Sequence, residues 1–479
     1  MLLSLVGGAL GLLVASWSID AMLGLFPADS GAASLSNSLD LRMLTFTFSA
    51  SLFTALLSGL LPAARSTRLE LASAIKEQGA GAGTAPGQVR LRKGLVTAQI
   101  AFTTLLLVAA GLFGLSLRQL LRVDVGMRVD ELGTFSIEPA LLGYTPDGTL
   151  ALLDRIRQDC GALPGVAGAT AAEIPVLADS SAGYNMTVEG YDGGPRGVQV
   201  ANNWVGPRYF ETMGVPILSG REFRESDTSE SPKVAVINET FRRRYFVGRD
   251  PLGRRLAFGS GPDTRLDIEI VGVAADSKHT SVRQEKGPFV YLPYAQDPNL
   301  GSATFYVRST LAFGTLVPAL RGAVRRWDTV LPVSGVKTLS QQRDDSLSGQ
   351  RLLAALSICF GLVAALLAAI GLYGTMTYTV LRRTSEIGIR MALGASARGV
   401  RALVLREAMT MAAIGLGVGL PAAWAAGGLA RSLLFGIRPH DPFLLAAAAL
   451  LLLAILLLAA YLPARRASRV DPLLALRTE

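Results

Sequence analysis

The sequence predicts an α-helical membrane protein of about six transmembrane helices with one extracytoplasmic mixed α/β domain. Three observations predict it. Half of the 479 residues are hydrophobic and only 17% are charged, with a positive mean hydropathy, a balance outside the usual range of water-soluble chains. Six nearly charge-free runs are each long enough, at about 20 residues, to cross a hydrocarbon core. Finally, one long stretch, Arg118 to Gln350, switches to short β-type runs and amphipathic helices separated by Gly and Pro, the pattern of a mixed α/β globular domain.

The six runs are Leu2 to Phe26, Met43 to Leu61, Leu95 to Leu117, Leu352 to Thr377, Ala408 to Leu429 and Phe443 to Tyr461. The first lacks a basic leading region and a cleavage site, so it reads as a retained span rather than a signal peptide. Orientation follows from the basic connectors, because short loops rich in Lys and Arg stay in the cytoplasm. Arg65, Arg68, Lys76, Arg90, Arg92 and Lys93 lie between the second and third runs. Arg382, Arg383, Arg390, Arg398, Arg401 and Arg406 lie between the fourth and fifth, and Arg465, Arg466, Arg469 and Arg477 follow the sixth. All three segments require the same side, which places both termini in the cytoplasm and Arg118 to Gln350 outside. The net charge of +9 therefore marks orientation; no basic face interleaved with aromatics points to nucleic acid.

Spans three to six carry no Asp, Glu, Lys, Arg or His through their central turns, which argues against an ion-coupled carrier. Small residues such as Gly361, Ala364, Ala368 and Gly371 at helical spacing predict close helix packing. Leu61 to Arg68 resembles Leu462 to Arg469 without a gap, with Asp40 matching Asp441 ahead and Ile75-Lys76 matching Leu476-Arg477 behind. This reads as two copies of one unit, each followed by a short helix, the second capped by Asp471 with Pro472 at its first position. The first copy begins late, so the chain reads as the later part of a longer duplicated protein or one with a shortened start. Gly79 to Gly83 reads as a flexible joint.

In the external stretch, strands are expected at Lys233 to Ile237, Asp267 to Val273, Phe289 to Leu292 and Thr304 to Val307. Helices are expected at Leu150 to Cys160, Glu239 to Tyr245 and Leu316 to Trp327, and Pro207 to Gly214 reads as a helix ended by a glycine. His279 reads as a solvated loop histidine and His440 stands at a span boundary. Neither has the company of a nucleophile elbow or a metal signature. No cofactor or metal is expected, and Cys160 and Cys359 are not expected to pair.

The connector between spans four and five carries the most information. In Arg382 to Ala395, Thr384 or Ser385 can cap a short helix, Glu386 can pair with Arg390, and Gly394 can end it, while Ser396 can cap the next helix. Such a helix offers Ile387, Ile389, Met391 and Leu393 either to a partner's groove or to lipid headgroups.

Ser385-Glu386-Ile387-Gly388-Ile389-Arg390-Met391-Ala392-Leu393-Gly394-Ala395 resembles the coupling segment of MacB/FtsX-type ABC transporter permeases. Tyr209 to Gly214, Gly220 to Phe223 and Asp250 to Gly253 are similar to the periplasmic core of that family, and Leu462 to Ala467 with Asp471-Pro472 is similar to its ending. The doubled arrangement most resembles duplicated permeases of acidobacteria, from which this sequence departs by lacking a first external domain, leading span and coupling segment. The resemblance implies a partial transmembrane unit at 1–79, a cytoplasmic linker at 80–94, a span at 95–117, a periplasmic core domain at 118–350 and a three-span domain at 351–479 with its coupling segment at 382–406. It further implies that Glu386, Ile387, Gly388, Arg390 and Gly394 couple the chain to an ATPase.

The 479 residues contain no GxxxxGK[ST] run to cradle ATP phosphates, so the chain is not expected to be an enzyme, and a separate ABC ATPase subunit at the cytoplasmic face is the expected partner, beside the lipid bilayer and a second permease unit as an option. The leading expectation is a permease that exports or extracts an amphiphile, peptide or lipoprotein. Against it stand a mechanotransmission or signalling protein without transport, an inactive shortened permease, and a membrane-anchored enzyme.

Overall fold

The computed structural model describes residues 2–23, 41–66, 86–194, 196–260 and 264–469. The chain begins with helices α1 (Leu2–Leu23), α2 (Leu41–Ser66) and α3 (Pro86–Leu121). It returns at the end in α9 (Ser348–Arg382), α10 (Thr384–Ala392), α11 (Ala397–Leu429) and α12 (Pro442–Ala467). Between them lie β1 (Leu132–Ile137), α4 (Pro146–Gly161), β2 (Val166–Ala172), β3 (Ala182–Val188), β4 (Val198–Val205), α5 (Tyr209–Met213) and β5 (Ile217–Gly220). These are followed by β6 (Val234–Asn238), α6 (Glu239–Tyr245), β7 (Arg255–Phe258), β8 (Ile268–Ala274), β9 (Phe289–Pro293), β10 (Ala303–Ser309), α7 (Phe313–Arg325), β11 (Ser334–Thr338) and α8 (Leu339–Asp345). Two units result: Met1–Leu121 with Gly349–Glu479, and Arg122–Ser348. Asp40, Arg68, Lys76, the Gly79–Gly83 joint and the Asp471-Pro472 helix start lie outside the described residues.

The apolar runs form helices because lipid offers no partner to backbone N–H and C=O groups, which must be satisfied within the segment. Among the described residues four helices are long and apolar enough to cross a membrane, namely α3 from Arg90, α9, α11 with its continuation to Leu433, and α12, while the apolar parts of α1 and α2 are shorter. With 36 residues, α3 measures about 54 Å against a hydrocarbon core of about 30 Å, so its ends extend well beyond it. Large side chains such as Ile358, Phe360, Leu362, Leu366 and Ile370 are exposed on α9, as a lipid-facing surface requires.

Small residues set the helix contacts. A Cβ at Gly361 of α9 would stand 3.4 Å from Leu107 and 3.5 Å from Ala110 of α3, and the Thr103 hydroxyl donates to the Ala364 carbonyl at 3.2 Å. The expectation of close packing through Gly361 and Ala364 is met there. A closer approach, and one that involves backbone atoms, lies where α11 meets α3. A Cβ at Gly419 would come within 2.8 Å of the Ala101 carbonyl oxygen and of the Thr104 Cβ, and one at Gly415 within 2.6 Å of Ile100.

In the second unit the strand order is β11-β1-β10-β2-β4-β3-β7-β8-β6-β9, β5 adds to β8, and β9 also pairs with β4. That last pairing closes β4, β3, β7, β8, β6 and β9 into a six-strand ring. The strands β2, β10, β1 and β11 form an open antiparallel extension joined to the ring by the single pair Ala172↔Val205. Phe135 and Phe305 face one another across β1 and β10 with rings stacked at 4.8 Å, inside a core that continues through Ile156, Ile237, Phe241 and Val290. Asn238 fixes the turn into α6: its side-chain oxygen accepts from the N–H of Phe241 at 2.9 Å and of Phe289 at 2.9 Å.

Arg308 of β10 is a second tie, only 7% exposed. Its guanidinium donates to the carbonyls of Thr212 (2.8 Å), Asp130 (3.1 Å) and Arg128 (2.9 Å), holding α5 and the approach to β1 against the sheet.

His279 corrects the sequence reading of a solvated histidine. It is 8% exposed, stacks on Phe289 at 4.0 Å, and its Nε2 lies 2.7 Å from the Tyr291 hydroxyl and 3.1 Å from the Ser277 hydroxyl. The segment around it is polar in sequence, but Phe289 and Tyr291 of β9 cover the ring, a long-range contact that local polarity does not report. Burial pulls its pKa down to about 3, so between that value and about 6.5 the unfolded chain takes up a proton that the folded chain does not. Stability contributed by this group is therefore lost as pH falls through that window. Wild-type chain is expected to lose about 2 kcal/mol more than His279→Gln between pH 7.5 and pH 5, read from thermal unfolding of both at each pH; equal losses would remove His279 from the account.

Candidate coupling site

The connector between α9 and α11 folds as the nine-residue helix α10. Its start differs from the expectation. Arg383 takes the cap position without a side-chain bond, and the Thr384 hydroxyl points backward, donating to the carbonyls of Val380 (3.1 Å) and Leu381 (2.8 Å). Thr384 thus finishes α9 instead of capping α10, because orphan carbonyls at the end of α9 lie within its reach.

The end of α10 follows the expectation. Gly394 adopts φ +97°, its N–H donates to the Met391 carbonyl, and the N–H of Ala395 donates to the Arg390 carbonyl. This is the paired arrangement of a Schellman stop, open to glycine without the Cβ penalty of a left-handed conformation. Ser396 then caps α11, accepting from the N–H of Gly399 at 3.2 Å.

Helical spacing divides α10 into two faces. Ile387, 3% exposed, enters a core shared with Val380, Val400, Val404, Ala464 and Ala467, with Met391 packed beside it one turn on; Gly388 is buried as well. The opposite face carries Glu386, Ile389, Arg390 and Leu393. Ile389 is 45% and Leu393 83% exposed, and Glu386 pairs with Arg390 at 2.6 Å. The expectation that Ile387, Ile389, Met391 and Leu393 are all presented is therefore corrected: Ile387 and Met391 seat the helix, and Ile389 and Leu393 remain outside. The Glu386–Arg390 pair is half exposed on both sides and contributes only about 0.3–0.5 kcal/mol.

Charges from several helices gather behind α10. Glu407 of α11 pairs with Lys93 of α3 and lies 3.5 Å from Arg383. The guanidinium groups of Arg92 and Arg382 stand 4.2 Å and 5.0 Å from the centre of the Tyr378 ring, and Arg466 of α12 donates to the Tyr373 hydroxyl at 3.0 Å. Sequence reasoning did not single out Glu407. The available signal was that it is the one acidic residue between Glu386 and Asp441. Among the described residues no group of three or more His, Cys, Asp or Glu could hold a metal ion.

Residues 94–326 match the family description MacB-like periplasmic core domain, and residues 358–472 match FtsX-like permease C-terminal. A probable export ATP-binding/permease protein of Pseudomonas fluorescens (strain Pf0-1) is 30% identical over 57% of this chain and 42% of its own length. A macrolide export ATP-binding/permease protein, MacB, of Rhodospirillum rubrum is 27% identical over 74% of this chain and 54% of its own. A pyoverdine export ATP-binding/permease protein, PvdT, of Pseudomonas entomophila (strain L48) is 29% identical over 55% and 41%. The chain thus spans about half the length of these curated relatives.

Proposed function

We propose, for a membrane chain that joins a MacB-like periplasmic core domain to an FtsX-like permease C-terminal domain, that it is the permease part of an ABC-type exporter driven by an ATP-binding partner outside these 479 residues. In this reading α10 lies at the cytoplasmic face with both termini, and Arg122–Ser348 lies outside. ATP-driven movement reaches the outer unit through α10, and the cargo is an amphiphile, a peptide or a lipoprotein.

The observation that carries the reading is the division of α10. A helix anchored by Ile387, Gly388 and Met391 holds Glu386, Ile389, Arg390 and Leu393 outward, a mixed apolar and charged face suited to a partner's groove. Gly394 and the capped start of α11 set the angle at which that face is presented. Lys93 and Arg383 on Glu407 brace the helices behind it, so that motion of α10 is passed on to α9 and α11. The charge-free centres of the spans support a mechanical role over passage of an ion through them.

The test is reconstitution of the chain in vesicles with the ABC ATPases of its own cell. The double variant Ile389→Asp, Leu393→Asp changes only exposed side chains and is expected to fold as the wild type. It should lower chain-dependent ATP hydrolysis by about tenfold or more, the loss typical of removing an interface anchor. Unchanged stimulation would withdraw α10 as the coupling element. Stimulation without export of any tested amphiphile would favour mechanotransmission.

A further inference from the structure

The six-strand ring of the second unit has an occupied interior and an open mouth. At that mouth lies a cavity of about 510 Å3, within the 300–1,000 Å3 range of small-molecule sites, which recur at the mouths of β-barrels. Its wall comes from consecutive members of the ring: Tyr184 of β3, Trp204 of β4, Phe258 of β7 and Leu292 of β9. Tyr184 meets Phe258 edge-on at 5.2 Å, and Trp204 lies tilted on Phe258 at 6.0 Å, so the three rings form one continuous aromatic surface. Trp204 is 8% and Tyr184 48% exposed, which grades the wall from floor to entrance.

The rim is charged, and the charge has one sign to spare. Asp147, in the first turn of α4, and Asp297, after β9, both line the cavity. One Asp297 oxygen accepts from the N–H of Asn299 at 2.9 Å, while the other is buried without a hydrogen-bond partner. Burial pushes the Asp297 carboxyl above the usual range, and Glu173 is pushed to about 7 by burial and by Asp297, as expected where carboxylates share a site with no cation of their own. Lys233, the cation on the rim, is already paired with Asp267 at 2.7 Å. Gln296, the neighbouring amide, spends its nitrogen on Thr228, Ser231 and Pro232 and its oxygen on the N–H of Val234.

We propose that this cavity binds a small amphiphile with an aromatic or aliphatic body and a protonated amine. The body lies on Tyr184, Trp204 and Phe258, and the ammonium sits at the rim carboxylates Asp297 and Asp147, where it supplies the cation that they lack. An ammonium beside aromatic faces also gains from the ring quadrupoles. A neutral or anionic amphiphile of the same shape keeps the wall and loses the rim. Binding here needs neither ATP nor a partner, so its failure and the failure of the coupling reading are separate results.

The experiment uses the full chain in lipid nanodiscs, with empty nanodiscs as the blank. The probes are 4-phenylbutylamine and its neutral counterpart 4-phenylbutan-1-ol, and saturable binding is read by titration calorimetry. The amine is expected to bind at one equivalent, about tenfold tighter than the alcohol, the discrimination expected of one charge-assisted hydrogen bond. Asp297→Asn, which can still accept from Asn299, should remove that preference and leave the alcohol unchanged. Tyr184→Ala, at a half-exposed position, should weaken both probes. Absence of saturable amine binding overturns the proposal. So does equal binding of the two probes, or binding that neither variant alters.

Discussion

Gly419→Leu is expected to prevent the helical unit from assembling. At this position a Cβ alone would stand 2.8 Å from the Ala101 carbonyl oxygen and from the Thr104 Cβ, and 3.0 Å from the Ala101 Cα. Two of these atoms are backbone, so no rotamer change of a neighbour can relieve the contact, and α11 must move off α3. Gly415, one turn earlier, faces Ile100 and the Thr97 carbonyl, and separation at Gly419 opens that contact as well. In lipid there is no hydrophobic drive to hold helices together once close packing is lost, and overpacking of a tight contact costs about 1–3 kcal/mol or more. The expected result is loss of most monodisperse chain after solubilisation and a large drop in its unfolding temperature. Gly417→Leu is the control, because a Cβ there meets nothing within 4 Å. Wild-type behaviour of Gly419→Leu, or equal damage from both changes, would show that this approach does not hold the unit.

Arg308→Met is the second change with a large expected effect, this time in the outer unit. The guanidinium donates to three carbonyls, of Thr212, Asp130 and Arg128, at a site only 7% exposed. Methionine fills much of the volume and supplies no donor, leaving those oxygens to be buried unsatisfied. At about 1–3 kcal/mol for a lost hydrogen bond of this kind, with incomplete additivity, the total is about 3–5 kcal/mol. For a unit of this size that corresponds to about 10 °C in unfolding temperature. Hydrogen exchange in the full chain localises the effect: amides of β1 and of the turn at Gly214 should exchange faster, with those of α11 unchanged. A shift of a degree or two would mean that water reaches the carbonyls and that the tie is dispensable.

Legibility in the sequence followed the range of the interactions. Apolar runs that must satisfy their own backbone announce themselves, and α3, α9, α11 and α12 contain the runs expected from Leu95, Leu352, Ala408 and Phe443. In the outer unit the strands made of consecutive apolar residues, such as Val234–Asn238 and Phe289–Pro293, were readable, as was α6 at Glu239–Tyr245. The strand β2, Val-Ala-Gly-Ala-Thr-Ala-Ala, was not, since its small residues carry no period. Nor was β4, where Asn202 and Asn203 interrupt the pattern. Asn203 is buried because its amide pairs with the backbone of Ile174 in both directions, at 3.0 Å and 2.8 Å, a contact visible only once the chain has folded. At α10 the local features, the Glu386–Arg390 pair and the Gly394 stop, were legible. Which apolar residues faced inward was not, because that depends on where α11 and α12 stand.

The pairing of β1 with β11 bears on how this chain can be taken apart. Gly133 stands opposite Thr338 and Ser136 opposite Ser334, so the first and last strands of the outer unit are neighbours at one margin of the open sheet. The entry and exit of residues 122–348 are therefore side by side, the arrangement that makes an inserted domain separable. β11 is the outermost strand there; its ladder with β1 is interrupted between Thr134 and Ser136, and Lys337 is tied to Asp345 at 3.0 Å. An irregular, charged margin of this kind discourages pairing with a second copy. A fragment cut at these two points carries both of its new ends beside a single blunted edge.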